Sequence, residues 1–142
     1  MYAYPVVFHA DQNGTLIASV ADVPGTMTVG GSRAEALDRV QGALLTMLAA
    51  RMDDQEAIPR PSRPARGQRV AVLSPLVSAK LSLYQAMRAR RVTPEELARR
   101  LGWQEGRLRR VLELRRRGGL EDIDTALGAL GKRLIIEVRN AA

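Results

Sequence analysis

The period of the apolar residues changes at Pro75, and that break constrains the fold more than any other feature of the chain. Before it, short runs of β-branched and aromatic residues alternate with turn signals. After it, apolar residues recur at helical spacing. A chain of 142 residues suits one domain or two small ones. The break argues for two, residues 1–74 and 75–142. Charge divides at the same place. Residues 1–75 hold seven Arg against seven acids and are neutral. Residues 76–142 hold two Lys and thirteen Arg against eight acids, so the whole net charge of +7 lies there. An Arg-rich surplus on a small segment suits a polyanion, because guanidinium groups fork onto phosphate oxygens and base edges. A solvated basic face without a partner is the plainer alternative.

In the neutral half, Tyr2-Ala3-Tyr4-Pro5-Val6-Val7-Phe8-His9 reads as a strand. Pro5 removes a ladder donor, which places this strand at an edge or leaves it paired on one side there. Asp11-Gln12-Asn13-Gly14 is a turn, since Asn-Gly readily supplies positive φ. Residues 15–20 return, Val23-Pro24-Gly25 turns again, and residues 26–29 make a third strand of an antiparallel meander. Ser32-Arg33-Ala34-Glu35 opens a helix as a capping box. Leu37, Val40, Leu44, Met47 and Leu48 form its apolar stripe, and it should end near Arg51 to Asp54. Pro59, Pro61 and Pro64 then force an extended path, and residues 68–73 read as a fourth strand. The first domain is therefore β-β-β-α-β, with the helix on one face of the sheet.

The basic half reads as helices over residues 76–90, 94–101, 104–114 and 120–130, with Gly102 and Gly118-Gly119 as punctuation. The class is α+β. Between Arg133 and Arg139, Leu134-Ile135-Ile136-Glu137-Val138 is a strand signal. A lone strand leaves its backbone groups unpaired in a helical domain. The nearest source of a partner is the same strand of a second copy across a two-fold axis, so a homodimer or tetramer is expected there.

Thr93-Pro94-Glu95-Glu96 is a second capping box, with Pro at the first helical position. It launches Leu97-Ala98-Arg99-Arg100-Leu101, then Gly102-Trp103, then the next helix. In a helix-turn-helix each residue has a steric reason. Ala98 is small where the second helix crosses, and Gly102 supplies the freedom of the tight turn. Leu97, Leu101, Leu108, Val111 and Leu112 face the shared core. Gln104, Glu105, Arg107, Arg109, Arg110 and Glu113 remain outside, and such side chains read a groove. Arg107 and Arg110 are the candidates for guanine O6 and N7, with Gln104 and Glu105 near the helix N-terminus, where base contacts concentrate. Arg99, Arg100, Arg109 and Arg115 to Arg117 suit phosphate contacts. The Arg115-Arg116-Arg117 run also reads as cations meeting a helix C-terminus.

Other residues carry less. Trp103 reads as an apolar plug in the turn, with DNA contact as the second reading. His9 is a solvated strand-end residue. Asp11 and Asp22 fit turn preference, and Asp38 fits an exposed helix position, rather than a metal cluster. The chain has no Cys, which removes thiolate chemistry and fits a reducing compartment. Nucleophile elbow, P-loop and metalloprotease motifs are absent, so no enzyme and no cofactor is expected. Nor is a leader or a bilayer-spanning run expected, which points to the cytoplasm and to no membrane.

The chain as a whole resembles the HicB antitoxins of bacterial toxin–antitoxin systems. The resembling residues are Tyr4-Pro5-Val6, Asp22-Val23-Pro24-Gly25, Thr28-Val29-Gly30-Gly31, Ser32 with Glu35-Ala36-Leu37, and Ile58-Pro59-Arg60-Pro61-Ser62. Glu96-Leu97-Ala98-Arg99-Arg100-Leu101-Gly102 and Ala129-Leu130-Gly131-Lys132-Arg133-Leu134 continue the series. The order and spacing of these stretches carry the resemblance. It implies a degraded ribonuclease H-like first domain that neutralises a small HicA toxin, an mRNA-cleaving ribonuclease. It also implies a second domain that binds the operon's own promoter DNA. Asp11 and Asp22 could then meet a basic toxin surface. The rival reading is a ligand-responsive helix-turn-helix regulator with a small-molecule-sensing first domain, and a third is an RNA-cleaving enzyme.

Overall fold

The computed structural model describes residues 2–141, and in it Pro5 divides the first expected strand into two. β1 (Ala3–Pro5) pairs antiparallel with β5 (Val70–Val72), with Tyr4 opposite Ala71. At Val6 the chain changes partner. Its N–H still donates to the Arg69 carbonyl at 2.9 Å and its side chain is buried. From there β2 (Val7–Ala10) pairs with β3 (Leu16–Ser19), which pairs with β4 (Met27–Gly30). The expected antiparallel meander is present as β2-β3-β4, while the start of its first strand departs from it and forms a second sheet, β1-β5. The physical cause lies at Pro5, which has no donor to continue a ladder, so the strand can trade neighbours there. The class is α+β: these strands and one long helix come first, then further helices.

The chain divides into two compact units, Met1–Ser78 and Ala79–Ala142. In the first, α1 (Arg33–Asp53) starts where Ser32 Oγ accepts the Glu35 N–H at 3.1 Å. Glu35 reaches back one residue further than a capping box requires and accepts from the Gly31 N–H at 3.1 Å. The buried ridge of α1 is Ala36, Val40, Leu44 and Leu48, four residues apart. Leu37 and Met47, expected in that ridge, are only half-buried. Ala36 takes the inner place because α1 and β4 meet backbone to backbone. A Cβ at Gly30 would stand 2.5 Å from the Ala36 nitrogen. The α1 side of the β2-β3-β4 sheet therefore carries Gly30 and the fully buried Ala18. By register, Val7, Ser19 and Met27 form one row of the opposite side, and His9, Ile17 and Val29 form the next.

The proline-rich stretch after α1 is tied down by side chains. Ile58 is buried, Tyr4 Oη donates to the Pro59 carbonyl at 2.7 Å, and Asp22 accepts from both the Ser62 N–H, at 2.7 Å, and its hydroxyl. Asp11 accepts from the Gln12 N–H at 2.7 Å inside its own turn. Both aspartates thus serve their own chain.

Burial pushes the Tyr4 hydroxyl well above its ordinary pKa, and the neighbouring Tyr2 and Asp22 push it the same way against Arg51. The unfolded chain releases this proton near pH 10, while the folded chain keeps it to higher pH. The stability that the phenol contributes is therefore complete below about pH 10 and is lost as pH rises above it. Tyr4→Phe leaves the Pro59 carbonyl unpaired and is expected to cost about 1–2 kcal/mol at neutral pH. In urea melts at a series of pH values, that deficit should shrink above about pH 10. A deficit that stays constant into strong alkali would place the phenol's ionisation elsewhere.

The second unit is helical. α2 (Pro75–Arg90) leads into it, followed by α3 (Pro94–Leu101), α4 (Glu105–Leu112) and α5 (Leu120–Ala129). Its core gathers Leu81, Leu83, Met87, Leu97, Leu108, Ile123, Leu127 and Leu130. The strand expected between Arg133 and Arg139 is not formed in the single chain: residues 132–141 have no regular structure. Leu134 N–H is held by Asp124 Oδ1 at 3.1 Å, but Ile135, Ile136 and Val138 are 80%, 69% and 93% exposed. A strand has no neighbour to pair with there among the described residues.

Candidate nucleic-acid interface

Thr93 caps α3, its hydroxyl accepting the Glu96 N–H at 3.2 Å, and Pro94 occupies the first turn. At the other end Gly102 adopts a left-handed conformation, φ 70°, as the tight turn requires. Its N–H reaches the Arg99 carbonyl at 3.2 Å, and the Trp103 N–H reaches the Ala98 carbonyl at 2.9 Å. These two bonds close the helix in a Schellman pattern. The chain turns and α4 begins after Gln104, whose side chain makes no capping bond. Ala98 is buried, as a close helix crossing needs, together with Leu97, Leu108 and Val111. Leu101 and Leu112, also expected in the core, are half-buried.

The remaining side chains of α4 point outward. Gln104, Glu105, Arg107, Arg109, Arg110 and Glu113 are all exposed, as are Arg99 and Arg100 on α3. Arg110 and Gly106 sit on the face away from Leu108. A Cβ at Gly106 would come 3.5 Å from Arg110 Nη1, so the glycine leaves the ground beside that guanidinium open. Arg99, Arg100 and Arg110 make no ion pair among the described residues. Arg109 differs, pairing with Glu105 one turn back and lying 3.7 Å from Glu95. Its charge is partly spent before any ligand arrives. Arg115, Arg116 and Arg117 are exposed, and because α4 ends at Leu112 they lie in the loop beyond its last turn.

Two features lay outside the sequence reading. Lys80 of α2 is fully buried, and its ammonium donates to the carbonyls of Glu113 and, at 2.6 Å, of Arg116. Burial pulls its pKa down, opposed by Glu113 and assisted by Arg116. It fastens α2 to the end of α4, so the loop carrying Arg115 to Arg117 is held rather than free. The signal was present: Lys80 falls on the helical stripe of Val77, Leu81 and Tyr84, where only apolar residues belong. The second feature is Asp122, in the first turn of α5. Arg107 forks onto it, Nη2 to Oδ1 at 2.9 Å and Nε to Oδ2 at 3.3 Å. On another side the Arg107 guanidinium lies 4.3 Å from the centre of the Trp103 ring. Trp103 is therefore a stacking platform as well as part of the turn.

No group of three or more potential metal ligands occurs among the described residues. No helix among them is long and apolar enough to cross a membrane.

A family model described as HicB_like antitoxin of bacterial toxin-antitoxin system matches residues 3–82. Antitoxin HicB 2 of Photorhabdus laumondii is 34% identical over 131 residues, covering 92% of each chain. Antitoxin HicB of Escherichia coli K12 is 33% identical over 132 residues, covering 92% of this chain and 95% of its own. Antitoxin HicB of Pseudomonas fluorescens is 30% identical over 142 residues, covering 99% of this chain and 97% of its own. These relatives are named as antitoxins. With more than half the chain matched by the family model and nearly all of it by the relatives, the protein belongs to the HicB-like antitoxin family.

Proposed function

We propose that residues 1–74 bind and neutralise a HicA-type mRNA-cleaving toxin in the cytoplasm, while residues 75–142 bind promoter DNA and repress the protein's own operon. The observation that carries the DNA half is the α3–Gly102–α4 hairpin, with Arg99, Arg100 and Arg110 exposed and unpaired among the described residues. In this reading α4 enters the major groove. Arg110 and Arg107 contact guanine, and Gln104 and Glu105 stand at the end nearest the bases. Arg99, Arg100, Arg109 and Arg115 meet phosphates and set the register. Residues 133–139 of two copies pair as strands, so a homodimer, or a tetramer of such pairs, sets two α4 helices in successive grooves about 34 Å apart. For the toxin, the sheet side away from α1 supports docking. It carries Val7, Ile17, Met27 and Val29, of which Met27 is 62% and Val29 42% exposed.

Two substitutions separate the roles given to the arginines. Arg110→Ala should cost about 1–3 kcal/mol on the native promoter and relax the preference at one base pair per half-site. Arg99→Ala should weaken all duplexes alike and flatten the dependence of affinity on salt. Titrations of promoter and scrambled duplexes at several salt concentrations test both. Unchanged binding in both variants would remove α4 from the interface. The toxin half is tested by co-expressing the product of the adjacent small reading frame. Growth arrest relieved by this chain, and by its Val29→Glu variant far less well, is the expected result.

A further inference from the structure

We infer that Asp122 and Trp103 are positioning residues that hold Arg107 for end-on recognition of a guanine, so that the pair sets specificity and not general affinity. This inference rests on the DNA reading above and assigns the part played by one site within it. Arginine has five N–H donors in a planar fork. Asp122 takes Nε and one hydrogen of Nη2, with contacts of 3.3 and 2.9 Å. Three N–H groups remain, two on Nη1 and the second on Nη2, and the outer edge is one of the former with the latter. These are parallel and suited to guanine O6 and N7.

The surroundings of the pair favour recognition over bracing. The Arg107 side chain is 47% exposed and that of Asp122 30%, so the pair is not closed off from a ligand. An ion pair so accessible to water adds little to folding stability. Arginine loses substantial rotamer freedom when it is fixed. Here the carboxylate fork and the indole, 4.3 Å from the guanidinium, fix it before DNA arrives, which lowers the cost of binding. The pair also cancels its own charge, so Arg107 is poorly suited to clamp a phosphate. Its position fits, because it lies in the first turn of α4. No local pattern exposed the arrangement, since Arg107 and Asp122 are fifteen residues apart on different helices.

The test is selection of duplexes from a pool randomised across the half-site, using the full-length chain and its Asp122→Asn, Asp122→Ala and Arg107→Ala variants. Affinities for the selected and a scrambled duplex follow at several salt concentrations, with a thermal melt of each variant. The wild type should select a guanine that Arg107→Ala no longer selects. Both Asp122 variants should reduce discrimination at that base pair by roughly tenfold, within the range of a single bidentate base contact. They should also bind the scrambled duplex more tightly, with a steeper salt dependence, because Arg107 then carries an uncompensated charge. Adding Asp122→Ala to Arg107→Ala should change discrimination no further. The inference is overturned if the Asp122 variants keep the guanine preference, or if they melt early and lose affinity for every duplex equally. It also falls if Arg107→Ala leaves the selected bases unchanged. A wild type that selects no duplex at all would instead remove the DNA reading itself, and this inference with it.

Discussion

Replacing Ile136 and Val138 together with aspartate is expected to turn the protein into a monomer and to lower its affinity for a two-half-site operator by about 10²–10⁴-fold. The two side chains are 69% and 93% exposed in the single chain, and in a strand they fall on one face. That leaves apolar surface and a row of backbone groups unpaired among the described residues on the same segment, which the proposed second copy would satisfy. Because the segment follows α5 and is held at its base by Leu134 and Asp124, pairing it in the proposed dimer would also fix the spacing of two α4 helices. Without it each hairpin binds alone, and the second half-site no longer gains from the first. Sedimentation equilibrium reads the assembly state, and fluorescence anisotropy reads affinity on one and two half-sites. If the variant remains dimeric, residues 133–139 are not the interface. If it becomes monomeric yet binds two half-sites as before, the hairpins do not act as a pair.

The second large effect concerns stability. Gly30→Ala is expected to destabilise the first unit by about 3 kcal/mol, at the upper end of ordinary overpacking. The new methyl would lie 2.5 Å from the Ala36 nitrogen and 2.8 Å from its Cα, both helix backbone that cannot swing aside. Either β4 or the first turn of α1 must shift, and the Ser32 cap lies within that turn. The same change at Gly42 has the opposite sign. Nothing lies within 4 Å of a Cβ there, and the residue sits inside α1. Gly42→Ala should therefore stabilise by about 0.5–1 kcal/mol, the usual gain from removing a helical glycine. Urea melts of the two variants, followed by helical circular dichroism, compare them directly. Equal effects at the two positions would mean that Gly30 is a matter of local conformation and not of contact.

The partners that could help a variant survive differ between the units. In the first, the proline-rich stretch is retained by Tyr4, Asp22 and Ile58. In the second, Lys80 holds the end of α4, and its removal would leave the Arg116 carbonyl without its donor and the Glu113 carbonyl with the Arg116 N–H alone, at 3.1 Å.

Sequence alone was sufficient wherever structure depends on residues within a turn or two of each other. Ser32 and Thr93 start helices because a hydroxyl three residues back meets an orphan N–H. Gly102 ends one because only glycine enters the left-handed region without strain. The outward placement of Arg99, Arg100, Arg107, Arg109 and Arg110 followed from the same periodicity that buries Leu97 and Leu108. Tertiary structure alone decided that the first strand changes partners at Val6, that Gly30 is needed for its missing side chain, that Lys80 bonds the Glu113 and Arg116 carbonyls, and that Arg107 is held by Asp122. Each of these joins groups distant along the chain. A repeat of 3.6 or 2 residues tells which way a side chain points, but it carries no information about what a different element will bring against it.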